Sequence, residues 1–379
     1  MKIIIAPDSY KESLTAMEVA NAIESGFKQI MPNAEIHKIP MADGGEGTVQ
    51  SLIDATGGLL INCVVTGPIG RPVSAFYGLL GDRHTAVIEM SAASGLHLVT
   101  PEQRDPTLTT SFGTGELIKA ALDAGVDHII VGLGGSATND GGIGMAQALG
   151  IKMVDFNGDE IGYGGAALAN LCHIDTTGLD PRLRHVSLEI ACDVNNPLCG
   201  PTGASHVFAA QKGATADMTD FLDQNLAHYA AIIKNELGHD IINSAGAGAA
   251  GGMGAAFLGL FNATLRPGID IVMDAVNFSE IIANADLVIT GEGRIDSQTI
   301  CGKTPIGVAR VAKQYGIPVI GIAGCLSKDY AIVHEHGIDS VFSIVPNVVN
   351  LDQAFHDAAV NLEMTARNIA ALLLLNRVN

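Results

Sequence analysis

The sequence predicts an α/β fold: a doubly wound, parallel, six-stranded sheet of the Rossmann or flavodoxin type, with a second, mixed α/β domain inserted. Three observations carry this. Short β-branched runs alternate with helical patterns; glycine-rich loops follow several of the strands; and two stretches with short alternating runs interrupt the series. The parallel-sheet domain is expected over residues 1–60, 105–150 and 280–379, and the inserted domain over 61–104 and 151–279.

Ile3 to Ile5 is a continuous β-branched run, the signature of a strand buried on both faces. Thr15 and Glu18 form a capping box. Val19, Ala20, Ile23, Phe27 and Ile30 then recur at helical spacing until Met31-Pro32 ends the helix, and Ile36 to Met41 reads as the second strand. Helix Gly115 to Ala124 leads to strand His128 to Gly132. Strand Leu287 to Thr290, helix Ile306 to Tyr315, strand Val319 to Ile322, strand Ser340 to Val345 and a terminal helix Leu351 to Leu375 complete the series. The inserted domain shows alternating runs at Asn62 to Val65, Ala86 to Met90 and Ser187 to Ala191.

Composition excludes several function classes. With 21 Lys and Arg against 40 Asp and Glu, the net charge of −19 opposes nucleic acid and anionic lipid. Trp is absent and aromatics are 4%, which removes stacking platforms for bases. The 45 glycines in 379 residues follow no triplet period and belong to turns and ligand loops. Six cysteines without a C-x-x-C pair read as reduced core residues, with neither a zinc ribbon nor a disulfide framework. Ile3 to Ala6 is too short for a signal-peptide core, and no run approaches ~18 uncharged apolar residues, so a cytoplasmic protein is expected. A homo-oligomer fits this reading.

In open parallel sheets ligands bind beyond the carboxyl ends of the strands. The loops there are Pro7 to Ser13, with Ser9 and Lys11; Ala42 to Thr48, with Asp43, Gly44, Gly45, Glu46 and Gly47; Gly134 to Gly142, with Gly135, Ser136 and Asn139; and Gly291 to Ser297, with Glu292, Arg294 and Asp296. Singly, each is read as well by a tight turn with a capping Asp or Ser. Together they point to a ligand site. Six acids, Asp8, Asp43, Glu46, Asp140, Glu292 and Asp296, would repel bare phosphate, so a Mg²⁺-nucleotide is expected, with Lys11, Arg294 and Lys303 neutralising phosphate or a substrate carboxylate.

The inserted domain adds Asp193 and Asn195 after a strand, Lys212 in Gln211-Lys212-Gly213-Ala214, and Gly246 to Gly254 with Gly251 and Gly252. The last segment reads equally as a phosphate loop or as a small-residue helix packed on a neighbour. His334-Glu335-His336 before Gly337 reads as a helix C-terminus, not a zinc site. Gly132-x-Gly134-x-x-Ala137 with Asp155 downstream keeps a nicotinamide-dependent dehydrogenase open. A two-lobed binding protein without turnover is the other alternative.

Taken in order, I-I-I-A-P-D-S-Y-K-E-S-L at the N-terminus, A-D-G-G-E-G-T at 42–48, G-G-S-A-T-N-D-G-G at 134–142, A-C-D-V-N-N-P-L at 191–198, Q-K-G-A at 211–214, G-A-G-A-A-G-G-M-G at 246–254 and I-T-G-E-G-R-I-D-S-Q-T at 289–299 resemble the type I bacterial glycerate kinases. The resemblance runs from Met1 to the final helix. It implies ATP-dependent phosphorylation of D-glycerate at the 2-hydroxyl, with two α/β domains. The roles expected are Asp193 as the base or orienting group for the hydroxyl, Glu292 and Asp296 on Mg²⁺, Arg294 and Lys11 on substrate carboxylate or γ-phosphate, and the loop glycines along the phosphates.

Overall fold

A computed structural model describes residues 1–375. Thirteen strands occur among them: β1 Lys2–Ile5, β2 Glu35–Lys38, β3 Leu59–Thr66, β4 Pro72–Leu79, β5 Thr85–Glu89, β6 His128–Gly132, β7 Lys152–Val154, β8 His173–Asp175, β9 Ser187–Ala191, β10 Thr264–Arg266, β11 Leu287–Ile295, β12 Val319–Leu326 and β13 Ser340–Ser343. The chain divides into two compact units. Of the described residues, the first comprises 1–43, 50–57 and those from 269 onward, and the second 44–49 and 58–268.

The first unit holds a five-stranded sheet of order β13-β12-β11-β1-β2, parallel throughout. The order turns back between β1 and β11, the place where open parallel sheets bind ligands. Ile3, Ile4 and Ile5 are fully buried, as a strand covered on both faces requires. The helix Ala16–Ile30 carries the capping box: Glu18 N–H donates to Thr15 Oγ1 and Thr15 N–H to Glu18 Oε2. It seats Val19, Ala20, Ile23 and Phe27 in the core, where burying Phe27 alone contributes about 2 kcal/mol.

Gly26 lies against the backbone of the helix Ala358–Leu375, so closely that a Cβ would strike Glu363 and Arg367. By length and a hydropathy of 1.3 that helix is apolar enough to cross a membrane. Here Leu362, Ala366, Ile369 and Ala370 belong to the core that contains Phe27. The single terminal helix expected over Leu351 to Leu375 is in fact two, Leu351–His356 and Ala358–Leu375.

The second unit holds a six-stranded mixed sheet, β10-β9-β6-β5-β4-β3, and a separate β7-β8 ribbon. Strands β5, β6, β9 and β10 run parallel, while β3, β4 and β5 pair antiparallel. This corrects the expected six-stranded parallel sheet. His128 to Gly132 is not its sixth strand but sits between β5 and β9, with Ile129 and Val131 packed in the same core as Ile88 and Ile190. Residues 105–150, expected in the parallel-sheet domain, therefore fall in the second unit. The cysteines also differ from expectation. None is fully buried, and Cys172, Cys301 and Cys325 are exposed.

Candidate functional site

The first unit gathers Ser9, Lys11, Asp43, Glu292, Arg294, Asp296 and Lys303; the second gathers Gly44, Gly45, Glu46, Gly47, Gly134, Gly135, Ser136, Asn139, Asp193, Asn195, Lys212, Gly251 and Gly252.

In the first unit a cavity of about 520 Å³ opens at the carboxyl ends of β1 and β11, where Asp8, Lys11, Asp43, Glu292, Arg294 and Lys303 line it. Close backbone approach builds this edge. Asp8 N–H donates to the carbonyl of Gly291 at 2.8 Å, and a Cβ on Gly291 would collide with the Ile322 carbonyl of β12. Tyr10, buried, donates its hydroxyl to that same Ile322 carbonyl at 2.8 Å.

Asp8 is 8% exposed and accepts from Thr304 Oγ1 at 2.6 Å and from Ser9 N–H at 2.6 Å. Burial, then the charge of Asp43, pushes its carboxyl up to about 7, with Glu292 adding to the rise and the two hydrogen bonds opposing it. Glu292 is also raised by burial, against the pull of Thr299 Oγ1 at 2.7 Å and Lys303 Nζ at 3.3 Å. Arg294 Nε donates to Ser327 Oγ at 2.8 Å and lies 3.3 Å from Asp296 Oδ2. Its side chain is 65% exposed, so that pair adds little stability. Replacing Arg294 by Lys is expected to lower kcat/KM by at least tenfold, because Lys is a point charge where Arg offers a planar fork. Wild-type turnover in Arg294→Lys and Arg294→Ala, with circular dichroism unchanged, would make it a surface residue.

In the second unit the loops after β6 and β9 meet residues 44–47. A Cβ on Gly132 would collide with the Gly44 carbonyl, and one on Gly134 would stand 3.3 Å from Gly45 Cα. Glu89, at the end of β5, accepts from Val49 N–H at 2.9 Å and is held further by hydrogen bonds from Gly47 and Thr48, though burial raises its carboxyl overall. Sequence reasoning missed this anchor of the 44–49 loop. The one available signal was an acid at the end of an apolar strand.

Asp193 follows β9, exposed, and its Oδ1 accepts from Gly268 N–H at 2.9 Å. Asn195 is exposed beside it. Lys212 is 2% exposed, and its Nζ donates to Ser136 Oγ at 2.8 Å and to the Thr138 carbonyl at 2.6 Å. Burial pulls its ammonium down to about 7, although Asp140 favours the charge. Lys212 thus ties down the loop that carries Ser136 and Asn139. Asn139 donates to Ser205 Oγ at 2.9 Å, while its buried Oδ1 has no partner among the described residues.

Asp140, expected at a common cleft with the other acids, lies in the interior instead. Fully buried, it accepts from Ser111 N–H and Oγ, both at 2.8 Å, and from Gly142 N–H at 3.1 Å. Gly251 and Gly252, at φ of 69° and 92°, break the segment Ala249–Leu260, and a Cβ on Gly251 would run into the Thr138 carbonyl. Close packing already accounts for both glycines. The dinucleotide fingerprint also loses its context: β6 ends at Gly132, but the next helix begins only at Ile143. Among the described residues no three His, Cys, Asp or Glu side chains group as a metal site.

Comparison with known proteins bears on this arrangement. The family model described as the glycerate kinase family matches residues 3–374. The chain is 62% identical over 371 residues to a glycerate kinase of Bacillus subtilis (strain 168), covering 98% of this chain and 97% of that one. It is 57% identical over 379 residues to the glycerate 2-kinase of Escherichia coli (strain K12), with 100% of both covered. A crystal structure from Salmonella typhimurium LT2, provisionally named glycerate kinase 2, superposes with a TM-score of 0.92 at 56% identity, covering 100% of this chain and 99% of that one. With the motifs of both units inside one full-length match, the chain belongs to the glycerate kinase family.

Proposed function

We propose that the protein transfers the γ-phosphoryl group of ATP to the 2-hydroxyl of D-glycerate. The observation that carries this reading is the clustering of four acids and three cationic side chains, Asp8, Glu12, Asp43 and Glu292 with Lys11, Arg294 and Lys303, around one cavity at the turn-back point of a parallel sheet. Family membership supplies the substrate class.

Phosphoryl transfer needs in-line positioning and neutralisation of charge more than covalent help from the protein. Lys11 and Arg294 hold anionic oxygens, the two Nη groups of Arg294 having no hydrogen-bond partner among the described residues. Ser9 and Lys303 complete this set of contacts. In the second unit Asp193 and Asn195 take the glycerate, Asp193 receiving or orienting the hydroxyl proton. Gly44, Gly45, Glu46, Gly47, Gly134, Gly135, Ser136 and Asn139 shape the loops, and Lys212 keeps them in place.

The residues fit a Mg²⁺ ion. A carboxyl pushed up to about 7 by burial and neighbouring acids is one that a divalent cation would ionise. Mg²⁺ takes one or two carboxylates and keeps phosphate oxygens and water for its other positions. Glu292 and Asp296 each already face a cationic side chain, Lys303 and Arg294. In our reading Asp8 joins Glu292 as ligand and Asp296 orients Arg294. The ion, when bound, neutralises the phosphate charge that the acids would otherwise repel.

The partners are small molecules, ATP and glycerate, and the net charge of −19 opposes nucleic acid and membrane surfaces. The cytoplasm, where ATP is available, is the compartment this reading assigns, as a monomer or homo-oligomer. ADP release is expected only when ATP, D-glycerate and Mg²⁺ or Mn²⁺ are all present, and EDTA should abolish it. Nicotinamide reduction with glycerate and no ATP consumption would overturn the reading in favour of a dehydrogenase. Glycerate binding without turnover would leave a binding protein.

A further inference from the structure

The cavity of the first unit has a second wall, away from the charged strand ends. Ile344 and Val345 after β13, with Leu351, Ala354 and Phe355 of the helix Leu351–His356, line it with apolar surface. Glycerate carries an oxygen on every carbon and has no apolar face to bury, so such a wall contributes nothing to holding it. At about 520 Å³ the cavity is also of the size that takes drug-sized ligands, roughly 300–1,000 Å³, not a three-carbon acid. ATP joins a flat, largely apolar base to a polyanion, and this cavity joins an apolar wall to Lys11, Arg294 and Lys303.

We infer that the cavity is the nucleoside subsite: adenine lies against Ile344, Val345, Leu351, Ala354 and Phe355, and the triphosphate runs toward the charged ends of β1 and β11. The inference rests on the kinase reading above and adds where the nucleoside lies: base and triphosphate share the one cavity of the first unit. Ser13 Oγ donates to the Phe355 carbonyl at 3.0 Å, which ties the apolar wall to the loop bearing Lys11. Charged floor and apolar wall are therefore held as one construction.

Ala354→Phe places a ring in the cavity, and Leu351→Glu puts a carboxylate on its wall at a position 64% exposed, where the fold tolerates charge. Both variants should raise the KM for ATP tenfold or more, with the KM for glycerate within twofold and thermal unfolding unchanged. Cys325 is exposed and lines the same cavity, so ADP should slow its alkylation by a maleimide, read by peptide mass, while Cys172 is unaffected. A rise in the glycerate KM alone, or no change in either KM with no protection of Cys325 by ADP, overturns the inference. If the wild type binds ADP and protects Cys325 but does not phosphorylate glycerate, the kinase reading falls and the nucleotide subsite stands.

Discussion

Asp193→Asn should lower kcat by about 10²-fold or more and leave the KM for ATP within twofold. The reasoning starts from the local structure. Asp193 Oδ1 accepts from Gly268 N–H at 2.9 Å, and an Asn carbonyl oxygen can keep that bond, so the turn after β9 should survive. What the amide cannot do is accept the hydroxyl proton of the substrate. General-base contributions of roughly 10²–10⁴-fold appear in kcat, whereas lost uniform binding appears in KM. A variant with normal kcat, or one that loses ATP affinity instead, would return Asp193 to the role of a strand-ending turn residue and move the base to Asp8 or Asp43.

Asp8→Asn should stabilise the nucleotide-free protein at pH 8 while impairing its dependence on Mg²⁺. Burial and Asp43 raise the Asp8 carboxyl from its ordinary value near 3.8 to about 7. Between those values the folded state holds a proton that the unfolded chain has released, so this group's stabilising contribution is full below about pH 4 and is lost as pH rises through 7. The loss is on the order of 4 kcal/mol as an upper bound, since a tenfold change in proton affinity is about 1.4 kcal/mol. Asn removes the titration, and Thr304 can rotate its hydroxyl to meet either side-chain atom. Urea unfolding should show Asp8→Asn gaining on wild type between pH 4.5 and pH 8. Parallel pH profiles for the two proteins would mean that Asp8 is ionised at no cost.

Local signals in the sequence reached the strands of the first unit and the loops after them. Ile3 to Ile5 and Val319 to Ile322 are apolar throughout because parallel strands covered on both faces must be, and Thr15 with Glu18 marks a helix start by its own hydrogen bonds. The sheet that a strand joins is not local. His128 to Gly132 has the same pattern as β1, and its placement depends on pairing with Thr85–Glu89 and Ser187–Ala191, which no spacing reveals.

The candidate site divides in the same way. Asp43 and Gly44 are adjacent in one motif yet belong to different units. Glu89 anchors a loop through Val49, forty residues before it in the sequence, and Lys212 owes its pull toward neutrality to burial beneath Ser136 and Thr138. The apolar wall at 344–355 was hidden because Leu351 to Leu375 reads as one terminal helix, whereas a break at Asp357 frees its first turns to line the cavity.

Phosphorus NMR of a reaction containing the protein, ATP, Mg²⁺ and D-glycerate tests the central claim most directly, because it reports turnover and the atom phosphorylated in one spectrum. The account predicts stoichiometric ADP and a monoester resonance split by a single proton, as a phosphate on carbon 2 requires. A resonance split by two protons would place the phosphate on the 3-hydroxyl, and unchanged ATP with D-glycerate present would contradict the kinase assignment itself.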